Sequence, residues 1–146
     1  MLGPIWAGGG AQCCRRTGQS SETAAKREHE RLNGARPGAD RLVAARDLAA
    51  TTQAVVLLKG PTTVVAAPDG TVRVVTGGDA RLATAGTGDV LSGIIGALLA
   101  RGIAPLEAAA AGAWLHAAAG AAGPGDGLIA SDLVDRLPLV LTELAG

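Results

Sequence analysis

The run Ala85-Gly86-Thr87-Gly88-Asp89-Val90-Leu91 is the feature that most restricts how this chain folds. Two glycines and a threonine lead directly into an apolar stretch over residues 88–100, so a permissive loop must turn straight into a buried helix. Glycine lets backbone N–H groups converge on a ligand with no side chain in the way. A helix N-terminus adds unsatisfied donors and the positive end of a dipole, which together suit an anion. A carboxylate inside a bare phosphate cradle would repel phosphate. Asp89 makes sense as a base beside the phosphate, aimed at a hydroxyl about to be phosphorylated. The same run also reads as an ordinary glycine loop with an acidic residue in the first helical turn, where aspartate is common.

A second constellation stands about 25 residues earlier, in Leu58-Lys59-Gly60-Pro61-Thr62-Thr63. It follows residues 54–58, a continuous apolar and β-branched run of the kind found in a strand buried on both faces. Ligands of open α/β sheets bind beyond the carboxyl ends of the strands. A lysine, a glycine and two threonines placed there offer a cation, backbone donors and hydroxyls to a nucleotide's phosphates or ribose. Alone, the run is also an ordinary polar turn with a surface lysine. Two such constellations, both at the ends of predicted elements, favour the functional reading.

The chain divides near residue 38. Residues 1–38 show no clear apolar period and suggest a weakly ordered segment, with a short helix around residues 22–32. From Asp40 the pattern is regular. Residues 40–51 place Leu42, Val43, Ala45, Leu48 and Ala49 at helical spacing, with Asp40 as the cap. Residues 62–67 and 71–75 form a hairpin joined by Pro68-Asp69-Gly70. Residues 77–86 are a loop, and 88–100 a helix stopped by Arg101-Gly102. Pro105 opens a helix that runs to about residue 122. The last helix covers residues 131–144, with Ser131 as its cap and Pro138 as a kink. Helix, strand, hairpin and three helices fit one side of an α/β domain.

Composition sets outer limits. The 146 residues suit one domain, and 48% hydrophobic residues suffice for a core rich in alanine and valine. The 13 basic and 13 acidic residues cancel, and no basic, aromatic-bearing surface of a nucleic-acid binder is evident. Cys13 and Cys14 are adjacent and are the only cysteines, which excludes a disulfide framework and points to a reducing cytoplasm. No run reaches the ~20 apolar residues of a membrane span, and the glycine-broken start lacks the basic region of a signal peptide. His116 lies on an alanine-rich helix and reads as a packed or hydrogen-bonded histidine. Asp79 and Arg81 could line a phosphate site, although spacing does not establish it.

Four stretches carry a family resemblance. Lys59-Gly-Pro-Thr-Thr63, Leu82-Ala-Thr-Ala-Gly-Thr-Gly-Asp-Val-Leu-Ser-Gly-Ile-Ile95, His116-Ala-Ala-Ala-Gly120 and Gly127-Leu-Ile-Ala-Ser-Asp-Leu133 resemble the ADP-dependent NAD(P)H-hydrate dehydratases. These are carbohydrate kinase-like repair enzymes of ribokinase-like, three-layer α/β fold. The resemblance runs from about Asp40 to the C-terminus. It implies removal of water from the S epimer of hydrated NADH or NADPH, with ADP (or ATP) as phosphoryl donor and Mg²⁺ as cofactor. It implies nucleotide binding by Lys59, Gly60, Pro61, Thr62, Thr63 and Gly88. Gly86, Thr87 and Gly88 would form an anion hole, and Asp89 would contact the hydrate and act as catalytic base. Members are often homo-tetramers. The family's Thr-Pro-His-x-Gly-Glu type motif is absent here, and family domains are nearly twice this length. The expectation is therefore an N-terminally truncated domain of a dehydratase by descent: residues 1–38 weakly ordered or aberrant, and residues 39–146 the C-terminal part of the hydrate dehydratase domain. Two alternatives stand beside it. One is a small-molecule kinase of the same superfamily, such as a hydroxyethylthiazole-type kinase. The other is an inactive nucleotide-binding fragment.

Overall fold

In the computed structural model the chain is described over Ile5–Gly8, Ala11–Gln12 and residues 40–146. The helix expected around residues 22–32 lies outside the described residues. Asp40 starts α1 (Arg41–Thr52) by accepting hydrogen bonds from the Leu42 and Val43 N–H groups at 2.9 and 3.2 Å. Three strands follow: β3 (Val55–Leu58), β4 (Thr63–Ala66) and β5 (Val72–Val75). The turn between β4 and β5 is closed by Pro68-Asp69-Gly70. Gly70 N–H donates to the Ala67 carbonyl at 3.0 Å, and Thr71 N–H to the Asp69 carboxylate at 2.8 Å.

β1 (Ile5–Gly8) and β2 (Ala11–Gln12) come from the segment in which the sequence shows no apolar period. The five strands are ordered β2-β1-β3-β4-β5. β1 runs parallel to β3, with Ile5 opposite Val55 and Gly8 opposite Leu58, and every other pairing is antiparallel. A short parallel strand is specified by its distant partner and not by local pattern, which is why the composition of residues 1–38 does not announce it.

Alternation along β3 and β4 divides the core between two faces. Val56, Val64 and Ala66 meet Ala45, Leu48 and Ala49 of α1. Val55, Leu57 and Val65 meet Leu91 and Ile95 of α2 (Thr87–Ala100) and Ala109 and Ala113 of α3 (Pro105–Ala121). On the outer side of α3, Leu115 and Ala119 pack with Leu82 and with Leu133 and Val140 of α4 (Ala130–Ala145). The result is three layers, with α1 on one face of the sheet and α2, α3 and α4 on the other.

Three expectations change. Leu42 and Val43 are 44% and 52% exposed, because the buried face of α1 is Ala44, Ala45, Leu48 and Ala49. The loop over residues 77–86 contains a 3₁₀ turn, Ala80–Ala83, capped by the Asp79 side chain. The cap of α4 is not Ser131. The helix begins one residue earlier, and Asp132 reaches back to accept the Ile129 N–H at 2.9 Å.

Candidate active site at the glycine loop

The site is built where β3 ends and α2 begins. Gly86 is the N-cap of α2 with φ at 85°, a left-handed conformation that glycine adopts without cost. An added Cβ there would lie 3.0 Å from the Ala130 Cβ, so the start of α4 also limits this position. Thr87 N–H donates to the Thr84 carbonyl at 3.3 Å, and Asp89 and Val90 N–H both donate to the Gly86 carbonyl. No acceptor among the described residues takes the Gly88 N–H. Asp89 sits exposed in the first turn of the helix. A donor at a helix N-terminus and a carboxylate at the surface beside it can hold an anion and accept a proton.

Thr87 is 1% exposed and ties the loop to the rest of the molecule. Its hydroxyl lies 2.7 Å from the Leu82 carbonyl and 2.8 Å from the Thr84 carbonyl. The Lys59 ammonium donates to that same Leu82 carbonyl at 2.7 Å and to the Thr87 hydroxyl at 3.2 Å. Burial pushes the Lys59 pKa down to about 8. At the backbone of the same residue, His116 Nε2 donates to the Thr87 carbonyl at 2.8 Å. His116 is 2% exposed. Burial, aided by the nearby Lys59 charge, lowers its pKa to about 4 against a smaller upward pull from the Thr87 bond. His116 is therefore a neutral imidazole near pH 7, with its proton on Nε2, since a carbonyl can only accept.

The two runs singled out in the sequence thus meet through one contact, Lys59 to Thr87. Lys59, Gly60, Pro61 and Thr63 line a cavity of about 290 Å³ together with His116 and Asp79. Thr62 faces away, into an open groove on the α1 side beside Arg41 and Val74. The Arg41 guanidinium lies against Gly60 and donates to the Leu58 and Lys59 carbonyls at 2.9 and 3.0 Å. A Cβ on Gly60 would come within 2.7 Å of that guanidinium. Asp79 and Arg81 pair with each other at 2.8 Å. The hydrogen bond from Arg81 holds the Asp79 carboxyl below its ordinary range. Arg81 also donates to the Pro124 and Gly125 carbonyls, so its charge is directed to loop closure.

Sequence reasoning missed Arg41, which carries no signal beyond its place at the start of a helix. It read His116 correctly as packed and hydrogen-bonded, but could not see that the bond falls on the glycine loop. A lone histidine in an alanine-rich helix was the available signal.

The comparisons with known proteins bear on the fold and the family. The family model described as NAD(P)H-hydrate dehydratase matches residues 16–138, reaching nearer the N-terminus than the motifs do. The chain is 52% identical over 100 residues to the ADP-dependent (S)-NAD(P)H-hydrate dehydratase of Neisseria meningitidis, covering 65% of this chain and 34% of that protein. It is 49% identical over 121 residues to the bifunctional NAD(P)H-hydrate repair enzyme of Mycobacterium leprae, covering 81% of this chain and 26% of that protein. The chain therefore spans about a third or less of the length of these relatives. The ADP/ATP-dependent NAD(P)H-hydrate dehydratase of Bacillus subtilis, co-crystallized with ATP/Mg²⁺, superposes with a TM-score of 0.75 at 33% identity, over 81% of this chain and 45% of that one. The three-layer fold is thus that of the matched 45% of the Bacillus enzyme. With its fold, its glycine loop and a family match from residue 16 to residue 138, this chain belongs to the NAD(P)H-hydrate dehydratase family.

Proposed function

We propose that this chain carries the phosphoryl-transfer half of an ADP-dependent dehydration that returns (S)-NAD(P)H-hydrate to NAD(P)H, releasing AMP and phosphate. The observation that carries this reading is the start of α2. There the Gly88 N–H has no acceptor among the described residues, and Asp89 stands exposed one residue on. In this reading the hydrate's hydroxyl attacks the terminal phosphorus of ADP, and the bond from that phosphorus to AMP breaks. Asp89 accepts the hydroxyl proton. The loop N–H groups hold the transferred phosphoryl oxygens, where charge is concentrated. The C–O bond then breaks, phosphate leaves, and loss of a ring proton restores the nicotinamide. Lys59, Gly60, Pro61 and Thr63 take the nucleotide at the end of β3, with Thr62 outside the cavity.

Mg²⁺ fits as a passenger of the nucleotide. No group of three His, Cys, Asp or Glu side chains among the described residues could hold a metal. An ion carried on phosphate oxygens keeps most of its waters and needs no cluster of protein ligands. When bound it supplies neutralising charge to the phosphoryl oxygens. Among the described residues no helix is long and apolar enough to cross a membrane. A cytoplasmic location belongs to the proposal. Self-association to a tetramer belongs to the same proposal.

The test is return of reduced-nicotinamide absorbance from the hydrate in the presence of ADP. Asp89→Asn is expected to slow turnover by at least about 10²-fold, with ADP affinity unchanged by calorimetry. Unaltered turnover in that variant would refute the role of Asp89. A stable phosphoester in place of released phosphate would establish a kinase. Nucleotide binding without turnover would establish a binding fragment.

A further inference from the structure

His116 is a buried titratable group that the chemistry above does not use. Its bond falls on the peptide unit between Thr87 and Gly88. The oxygen of that unit accepts from His116 Nε2 at 2.8 Å, and its nitrogen is the Gly88 N–H, which has no acceptor among the described residues. A donor on a peptide oxygen draws electron density from the amide and makes the N–H at its other end a stronger donor. It also fixes the plane of the peptide and so the direction of that N–H. The imidazole belongs to α3 and is 2% exposed, and the Lys59 ammonium holds the Thr87 hydroxyl at 3.2 Å. We propose that His116 is a positioning residue of the phosphoryl-transfer site, polarising and aiming the Gly88 N–H through the Thr87 carbonyl.

The neutral ring suits this role. An imidazolium beside Lys59 would add a second charge in a buried place, and the lowered pKa keeps the ring neutral across the range in which the site would work. The proposal rests on the Gly88 N–H serving an anion. Two measurements separate its failure from the failure of that reading.

The variants are His116→Met, which keeps volume and removes the donor, and His116→Gln, whose amide can replace Nε2–H. The first measurement is the amide proton and nitrogen shift of Gly88 with no ligand present. It is expected to move upfield in His116→Met and to return toward the native value in His116→Gln. The second is the affinity for inorganic phosphate in the presence of AMP. It is expected to fall about tenfold in His116→Met and less than about threefold in His116→Gln. A Gly88 resonance that does not respond in a folded His116→Met chain overturns the proposal. So does equal phosphate affinity in all three proteins. If phosphate and AMP fail to bind the native chain while the Gly88 shift responds as expected, the anion-site reading fails and the polarising contact stands.

Discussion

The half-buried Lys59 makes stability depend on alkaline pH. Its pKa falls from 10.5 to about 8 because burial disfavours the ammonium. Between those values the unfolded chain holds a proton that the folded chain has lost. Stability therefore rises with pH across that window, by about 1.4 kcal/mol per pH unit, and levels off above the unfolded pKa. The full difference corresponds to about 3 kcal/mol, an upper figure, because the bonds to the Leu82 carbonyl and the Thr87 hydroxyl favour the charged form. The chain has no tyrosine, and Lys26 is the only other lysine, so few groups compete in this range. Lys59→Met keeps most of the stem and removes the titration. Urea melts followed by tryptophan fluorescence from pH 7 to pH 10.5 are the assay, with the reducing conditions that Cys13 and Cys14 need. The native chain is expected to gain about 1–3 kcal/mol relative to the variant over that range. Parallel curves, or a native curve that falls relative to the variant, would refute the argument that the ammonium is held at a desolvation cost.

Two further outcomes follow from packing. Gly86→Ala places a side chain at φ 85° and 3.0 Å from Ala130, and is expected to cost about 1–3 kcal/mol in denaturant melts and to weaken phosphate binding with it. Leu57→Ala empties a 0% exposed position where β3 meets α2 and α3, and is expected to cost about 2–5 kcal/mol with no change in the m-value.

The legible parts of this chain are those whose cause is local. Asp40 caps α1 because a carboxylate can reach amides two and three residues ahead. Pro68-Asp69-Gly70 turns because proline, an Asx bond and glycine each favour the turn by themselves. The apolar run at residues 54–58 is a strand buried on both faces, since its β-branched residues find a layer on either side. The start of α4 shows how fine the local choices are. Ser131 and Asp132 are both able to cap, and Asp132 takes the Ile129 N–H because the helix begins at Ala130.

By itself the sequence determined the glycine loop, the helix it enters, the Lys59 run at a strand end and the family these motifs resemble. Each depends on residue type and short spacing, which a linear chain carries in full. Tertiary structure alone decided that Lys59 and His116, 28 and 29 residues from Thr87, close on its hydroxyl and its carbonyl. It decided that Thr62 turns away from the cavity its neighbours line, and that Ile5–Gly8 pairs with β3. These contacts depend on how sheet and helices stack. Burial then sets their energies, driving down the pKa values of Lys59 and His116 in a way that no neighbour in the sequence could.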